Sequence, residues 1–317
     1  MKNDPHILTE LVLKRDKRAV ARAISLLENN YPVAEELALL LEQSSKDSWI
    51  IGVTGSPGAG KSSLVDQMIK EARSAGFTVG VIAVDPSSPF SGGAILGDRI
   101  RMQGHSEDQE VFIRSMSSRG QLGGLSAATA KAVKVLAAAG YNLLIIETVG
   151  VGQSELDVME LADTTMVVLT PNMGDAIQSI KAGIMEIADI FVVNKADLFG
   201  ADRVVTETAS MLALSDPQGW QIPVLAVSSL NGTGFKELWQ NLDEHHHFLL
   251  NNGQYQLNRQ KRRLKDLKTI LLTALNRQLE QELADPKHQE LLTAVAEGKI
   301  PSALAAKMIL NKHDSVC

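Results

Sequence analysis

The alternation of apolar and polar positions along this chain changes rhythm twice. From Ile7 to Leu41 apolar residues recur at helical steps: Ile7, Leu8, Leu11 and Val12, then Ala19, Val20, Ala23, Ile24 and Leu27, then Val33 to Leu41. Such spacing lays one apolar stripe along each of several helices. Asp16 stands where an N-cap belongs, and Tyr31 with Pro32 interrupts the pattern. From Trp49 the rhythm becomes short apolar runs, at 49–54, 78–85, 110–115, 141–147, 164–170, 189–194 and 222–228. Helical patterns at 62–75, 124–139, 174–187, 202–214 and 233–250 separate most of them. Strands alternating with helices predict an α/β fold, a mainly parallel sheet sandwiched by helices. Ligands of such sheets bind at the carboxyl ends of the strands.

From Gln254 the strand pattern vanishes. Leu257, Leu264, Leu267, Leu271, Leu275, Leu279 and Leu283 follow helical steps, with Arg259, Lys261, Arg262, Arg263 and Lys265 around the first half. This predicts a long helix that Asp285 and Pro286 stop, then shorter helices near 287–297 and 301–311. The chain thus divides into an N-terminal helical extension (1–46), an α/β domain (47–252) and a helical arm (253–317). An arm with an apolar stripe must bury it, against a second copy of the chain or by folding back on its own domain.

Composition narrows the class. The 317 residues are 44% hydrophobic and 21% charged, as in a globular chain with a large core. The net charge of −6 argues against a nucleic-acid partner, which calls for a basic excess. No apolar run is long enough to span a bilayer, and the first residues carry no apolar signal core, so no membrane and a cytoplasmic location are expected. Cys317 is the sole cysteine, which excludes an intramolecular disulfide and a multi-cysteine metal site.

The chemistry starts at Gly55, Ser56, Pro57, Gly58, Ala59, Gly60, Lys61 and Ser62, which read G-x-x-x-x-G-K-S between a strand and a helix. In a phosphate loop of this kind the glycines let backbone approach a polyphosphate, and loop N–H groups and the helix N-terminus, with Ser63 in its first turn, point at the anion. Lys61 then reaches the β- and γ-phosphates and the Ser62 hydroxyl binds Mg²⁺. Asp85 ends the second strand, where a carboxylate can hold Mg²⁺ or its waters. Asp98 follows in a Gly-rich stretch, readable equally as part of a nucleotide-ordered switch or as the N-cap of a helix at 99–104. Glu147 ends an apolar strand as a metal-directed carboxylate should, and Gly150 places a backbone N–H near a γ-phosphate. The next position, where many GTPases place a water-orienting Gln, is Val151, so slow intrinsic hydrolysis is expected, with Gln153 and Glu155 as nearby substitutes. Asp175 and Lys181 also follow a strand; by spacing alone they read as an N-cap and an exposed helix residue.

The base is read at Asn194, Lys195 and Asp197, an N-K-x-D run after an apolar strand. Asp197 accepts from the ring imino N–H and the exocyclic amine of guanine. Adenine offers neither donor there, so the carboxylate stays unpaired against ATP. Asn194 supports the loop, the Lys195 stem stacks on the ring, and the backbone of Ser228, Ser229 and Leu230 meets the guanine oxygen. Three consecutive histidines, His245 to His247, look like a metal tract, but neighbours on a helix point apart, and solvent-exposed positions are expected.

These stretches together resemble the MeaB/ArgK GTPases, chaperones of methylmalonyl-CoA mutase, over essentially the whole chain. The resemblance rests on residues 53–62, 83–89, 93–99, 147–153, 174–178 and 194–197. It implies a P-loop NTPase core with a C-terminal dimerisation arm, hence a homodimer. It implies GTP/GDP and Mg²⁺ as ligands, with Ser62, Asp85, Asp98 and Glu147 as the metal network. It makes residues 174–182 a switch that reads the mutase, with Asp175 and Lys181 responsive to nucleotide, against the reading from spacing. Lys61, Asp98, Glu147, Asp175 and Lys181 become the catalytic set. GTP hydrolysis in such a family gates adenosylcobalamin loading onto the mutase and protects it. The alternatives are an ATP-dependent kinase or ATPase tied to arginine/ornithine transport, which the guanine-reading residues oppose, and a nickel-insertion GTPase, which needs clustered cysteines.

Overall fold

The computed structural model describes residues 4–85, 103–105, 107–117, 124–148, 159–171, 186–213 and 219–310. Residues 4–259 lie in one compact unit and 260–310 in a second. The first begins with helices α1 (Pro5–Leu13), α2 (Lys17–Glu28) and α3 (Ala34–Gln43). Asp16 caps α2 as its position predicts, its carboxylate accepting from the Ala19 N–H at 2.7 Å. Seven strands follow: β1 (Trp49–Gly55), β2 (Val79–Asp85), β3 (Val111–Ser117), β4 (Leu143–Thr148), β5 (Thr164–Leu169), β6 (Ile190–Val193) and β7 (Val224–Ala226). They form one parallel sheet in the order β3-β2-β4-β1-β5-β6-β7. Helices α4 (Lys61–Ser74), α5 (Gly124–Ala138), α6 (Ala201–Leu212) and α7 (Phe235–Asn251) cover its faces. The expected helix at 174–187 lies almost wholly outside the described residues.

Both faces of the sheet are buried because consecutive strand residues point opposite ways. Ile50, Ile82, Leu144 and Ile146 join α5 and the N-terminal helices in one core, while Ile51, Val81, Leu143 and Ile145 join α4 and α7 in another. The N-terminal helices are therefore part of the sheet's own packing. Burial of Val20, Ile24, Leu26 and Leu27 in α2 is worth roughly 6–12 kcal/mol of transfer free energy, an upper bound.

The histidine tract corrects the expectation of exposure. Phe235, Leu238, Leu242, His245 and Leu249 form the buried stripe of α7, so His245 is 1% exposed. Its Nδ1 is 2.9 Å from Thr164 Oγ1, which accepts from Trp49 Nε1 at 3.3 Å. Its Nε2 lies 3.4 Å from the Asp189 carboxylate. His246 stacks on Trp49 at 4.5 Å between ring centroids, and only His247 faces solvent. The divergence of neighbours on a helix, which rules out a shared ion, also sends one of the three into the core. Burial pushes His245 down to about 4 and the Asp189 carboxyl up to about 7.

Helix α8 (Gln254–Ala284) starts in the first unit, where Tyr255 is buried and Arg259 donates to Asp47 at 2.8 Å. The second unit holds the rest of α8, then α9 (Gln289–Ala296) and α10 (Ser302–Leu310). Leu264, Leu267, Leu271, Leu275 and Leu279 are 46–68% exposed.

Candidate functional site

Those predicted residues that the structure describes gather at the carboxyl edge of the sheet, where parallel register brings the strand ends level. β1 delivers Gly55 and turns through Ser56 to Gly60 into α4. Two glycines are dictated by sterics. Gly55, at φ +143°, would put a Cβ 2.3 Å from the Val168 carbonyl oxygen. Gly60, at φ +83°, would put one 2.5 Å from Asn194 Nδ2. Lys61 is buried at the head of α4, and its ammonium donates to the Gly55 carbonyl at 2.6 Å and the Ser56 carbonyl at 3.0 Å.

β4 lies beside β1 with Glu147 level with Val53. The Ser62 hydroxyl donates to the Glu147 carboxylate at 2.6 Å. A hydroxyl and a carboxylate meeting at the head of the phosphate loop are hard oxygen donors of the kind Mg²⁺ takes. Behind them Thr148 Oγ1 and Thr54 Oγ1 are bonded at 3.0 Å in the core, tying the two strand ends. Asp85 ends β2, paired in register with Ser117; its side chain is outside the described residues. Asp98, Gly150, Asp175 and Lys181 also lie outside them, as do Val151, Gln153 and Glu155.

The stretch from Asn194 to Asp197 is braced against the phosphate loop. Asn194, 1% exposed, donates from Nδ2 to the Ala59 carbonyl at 2.9 Å and the Gly60 carbonyl at 3.3 Å. Its Oδ1 accepts from the Lys195 N–H at 2.8 Å, the Ser229 hydroxyl at 2.9 Å and the Ser229 N–H at 3.2 Å. Lys195 takes the left-handed conformation at φ +61°, and its ammonium crosses to the Gly58 carbonyl at 2.9 Å. The Ser228 hydroxyl donates to one oxygen of Asp197, whose carboxylate otherwise stands at the surface. Leu230 is 83% exposed. Pro57, Gly58 and Ser63 lie on the open side of the loop and helix.

Set beside known proteins, residues 20–284 match the family profile described as "Methylmalonyl Co-A mutase-associated GTPase MeaB". The chain belongs to the MeaB family. A Pyrococcus abyssi relative bearing a GTPase name is 47% identical over 309 residues, 96% of this chain and 95% of that protein. Escherichia coli GTPase ArgK is 35% identical over 294 residues, 89% of each chain. The mouse "Methylmalonic aciduria type A homolog, mitochondrial" is 35% identical over 268 residues, 78% of this chain and 65% of that one. A crystal structure titled "LAO/AO transport system kinase" superposes with a TM-score of 0.72 at 25% identity, covering 98% of this chain and 97% of that one. The fold is thus that of a P-loop NTPase, and this MeaB-family GTPase is a guanine-nucleotide-binding hydrolase. Among the described residues no helix is long and apolar enough to cross a membrane.

Sequence reasoning passed over Gln67 of α4, whose Nε2 donates to the Ser229 carbonyl at 3.3 Å. Its partner is 162 residues away, so no local pattern marks it.

Proposed function

We propose that this chain hydrolyses GTP to GDP and phosphate in order to gate adenosylcobalamin loading onto methylmalonyl-CoA mutase and to protect that enzyme. It acts in the cytoplasm as a homodimer, with 1–46 as an extension, 47–252 as the GTPase domain and 253–317 as the dimerisation arm. The observation that supports guanine reading is the Asn194 brace, which sets Asp197 and the 228–230 turn beside the phosphate loop. The mutase as partner rests on the family's description and on the name of the mouse relative.

In this reading the loop amides from Gly55 to Ser63 cradle the phosphates, and Lys61 exchanges its two carbonyl partners for β- and γ-phosphate oxygens. Ser62 and Glu147, together with Asp85 and Asp98, would hold Mg²⁺, which would supply positive charge against the charge developing on the phosphate oxygens. The Gly150 N–H approaches the γ-phosphate, and Asp175 and Lys181 respond to its presence. With Val151 after that glycine the intrinsic rate is slow. Asp197 takes the two guanine donors, the Lys195 stem covers the ring, and Ser228 to Leu230 present backbone to the guanine oxygen. Leu264 to Leu279 bury their stripe against a second copy, because leaving so many leucines in water forgoes roughly 1.5–3 kcal/mol for each one fully covered.

Calorimetric titration separates GTP from ATP. Tighter GTP binding is expected, and equal affinities would favour the transport-linked kinase instead. Co-elution with methylmalonyl-CoA mutase in at least one nucleotide state is expected; its absence in every state removes the chaperone role. A monomer by light scattering removes the homodimer.

A further inference from the structure

We infer that Gln67 is a positioning residue for guanine recognition, acting through the peptide that joins Ser229 to Leu230. The inference rests on the base site proposed above. Gln67 lies on α4, the helix that grows out of the phosphate loop, and its side-chain amide donates to the Ser229 carbonyl at 3.3 Å. Since the partner is a carbonyl oxygen, the amide can meet it only with its NH₂ end. Ser229 is thereby held at three atoms. Its N–H and hydroxyl both reach Asn194 Oδ1, at 3.2 and 2.9 Å, and its carbonyl reaches Gln67.

The consequence follows from peptide geometry. The 229–230 bond is trans, so its carbonyl and the Leu230 N–H lie in one plane and point in opposite directions. Anchoring the carbonyl toward α4 turns the Leu230 N–H away from α4. Among the described residues nothing accepts from that N–H, whereas the neighbouring amides of Ser228, Asn231 and Gly232 all have partners within the turn. The Leu230 side chain is 83% exposed and supplies no packing to hold the plane. Asn194 fixes where Ser229 sits; Gln67 fixes which way the next peptide faces. The donor so aimed suits the carbonyl oxygen on the six-membered ring of guanine, an acceptor that 2-aminopurine lacks.

The test is a cycle over protein and ligand in the full-length chain. GDP and 2-aminopurine riboside diphosphate are titrated against wild type, Gln67→Leu and Gln67→Glu. Gln67→Leu removes the donor at similar volume, and Gln67→Glu sets a carboxylate against the carbonyl. Loss of one aimed hydrogen bond predicts GDP binding weakened about five- to tenfold in Gln67→Leu, and more in Gln67→Glu. Affinity for the 2-aminopurine nucleotide, which lacks that oxygen and also the ring imino N–H that Asp197 takes, stays within about twofold, because Gln67 bears on the oxygen contact and not on Asp197. A merely structural role weakens both ligands alike, and that result overturns the inference, as does unchanged GDP binding in both variants. If wild type already binds ADP as tightly as GDP, the base site itself is wrong. If wild type prefers GDP and Gln67→Leu keeps the full gap between GDP and the analogue, only the role of Gln67 is wrong.

Discussion

The two ends of the sheet carry similar side chains and put them to different uses. At the carboxyl end Ser62, Glu147, Asn194, Asp197 and Ser228 bond to one another and to loop backbone, and the outer members stay open to solvent. At the amino end Thr164, His245 and Asp189 make a chain whose residue types match a nucleophile, a base and its orienter. Thr164 is wholly buried and Trp49 donates to its hydroxyl, so a substrate has no approach to it. Residue type is therefore a weak guide to chemistry. What separates a ligand edge from a structural clamp is whether the polar atoms end on backbone that faces outward or on each other beneath aromatic rings.

This contrast can be broken most forcefully at the phosphate loop. Lys61→Ala is expected to lower single-turnover GTP hydrolysis by roughly 100- to 1,000-fold, the scale of losing one preorganised charge. Full activity would place the chemistry elsewhere. Asp197→Asn is expected to shrink the preference for GTP over ATP by about 10- to 100-fold, as competition titrations would show. An unchanged preference moves the base away from this edge. At the other end His245→Ala is expected to cost roughly 2–4 kcal/mol of unfolding free energy, through a cavity and a Thr164 hydroxyl left with only its bond from Trp49, with GDP affinity unaltered. Nucleotide binding that weakens in step with stability would mean the two ends are not separate.

The smallest effect is a pair of opposed pH slopes. The native state keeps His245 neutral down to about 4, against an ordinary value of 6.5, so between those limits the unfolded chain binds the extra proton. This contribution to stability is complete above 6.5 and is lost as pH falls toward 4. Asp189 works the other way. Its native carboxyl keeps a proton up to about 7, against 3.8 ordinarily, so its contribution is lost as pH rises between the two. A third of the Asp189 side chain is open to solvent, which makes its slope the shallower one. Urea midpoints across this range should rise with pH in Asp189→Asn and fall with pH in His245→Gln. Slopes of the same sign in both variants would show that the pair does not titrate as separate buried groups.

The elements were legible where the code is local. An apolar strand, a glycine turn and a helix beginning at Lys61 are a contiguous instruction, and so is the cap at Asp16. The run at Asn194 to Asp197 is a local signal of the same sort, four residues at the end of an apolar strand. The buried place of His245 lies on the i, i+3 and i+4 stripe through Leu238, Leu242 and Leu249, against the exposure expected of it. Only the facing Thr164 shows why a polar ring is tolerated there. Gln67 was invisible because its role depends on a turn brought alongside by the sheet.

What the amino-acid order determined alone was each segment's kind and its chemical vocabulary: seven apolar strands, a phosphate loop, an N-K-x-D run after a strand and a helix with one leucine stripe. Those follow from periodicity and from backbone demands that act over a few residues. Tertiary structure alone decided which polar atoms share a hydrogen bond, and hence that Asn194 braces Ala59, that Ser62 meets Glu147 and that His245 lies under the sheet. The reason is physical. A hydrogen bond is set to within tenths of an ångström by packing of segments distant in sequence, and burial of its partners sets how strongly it holds.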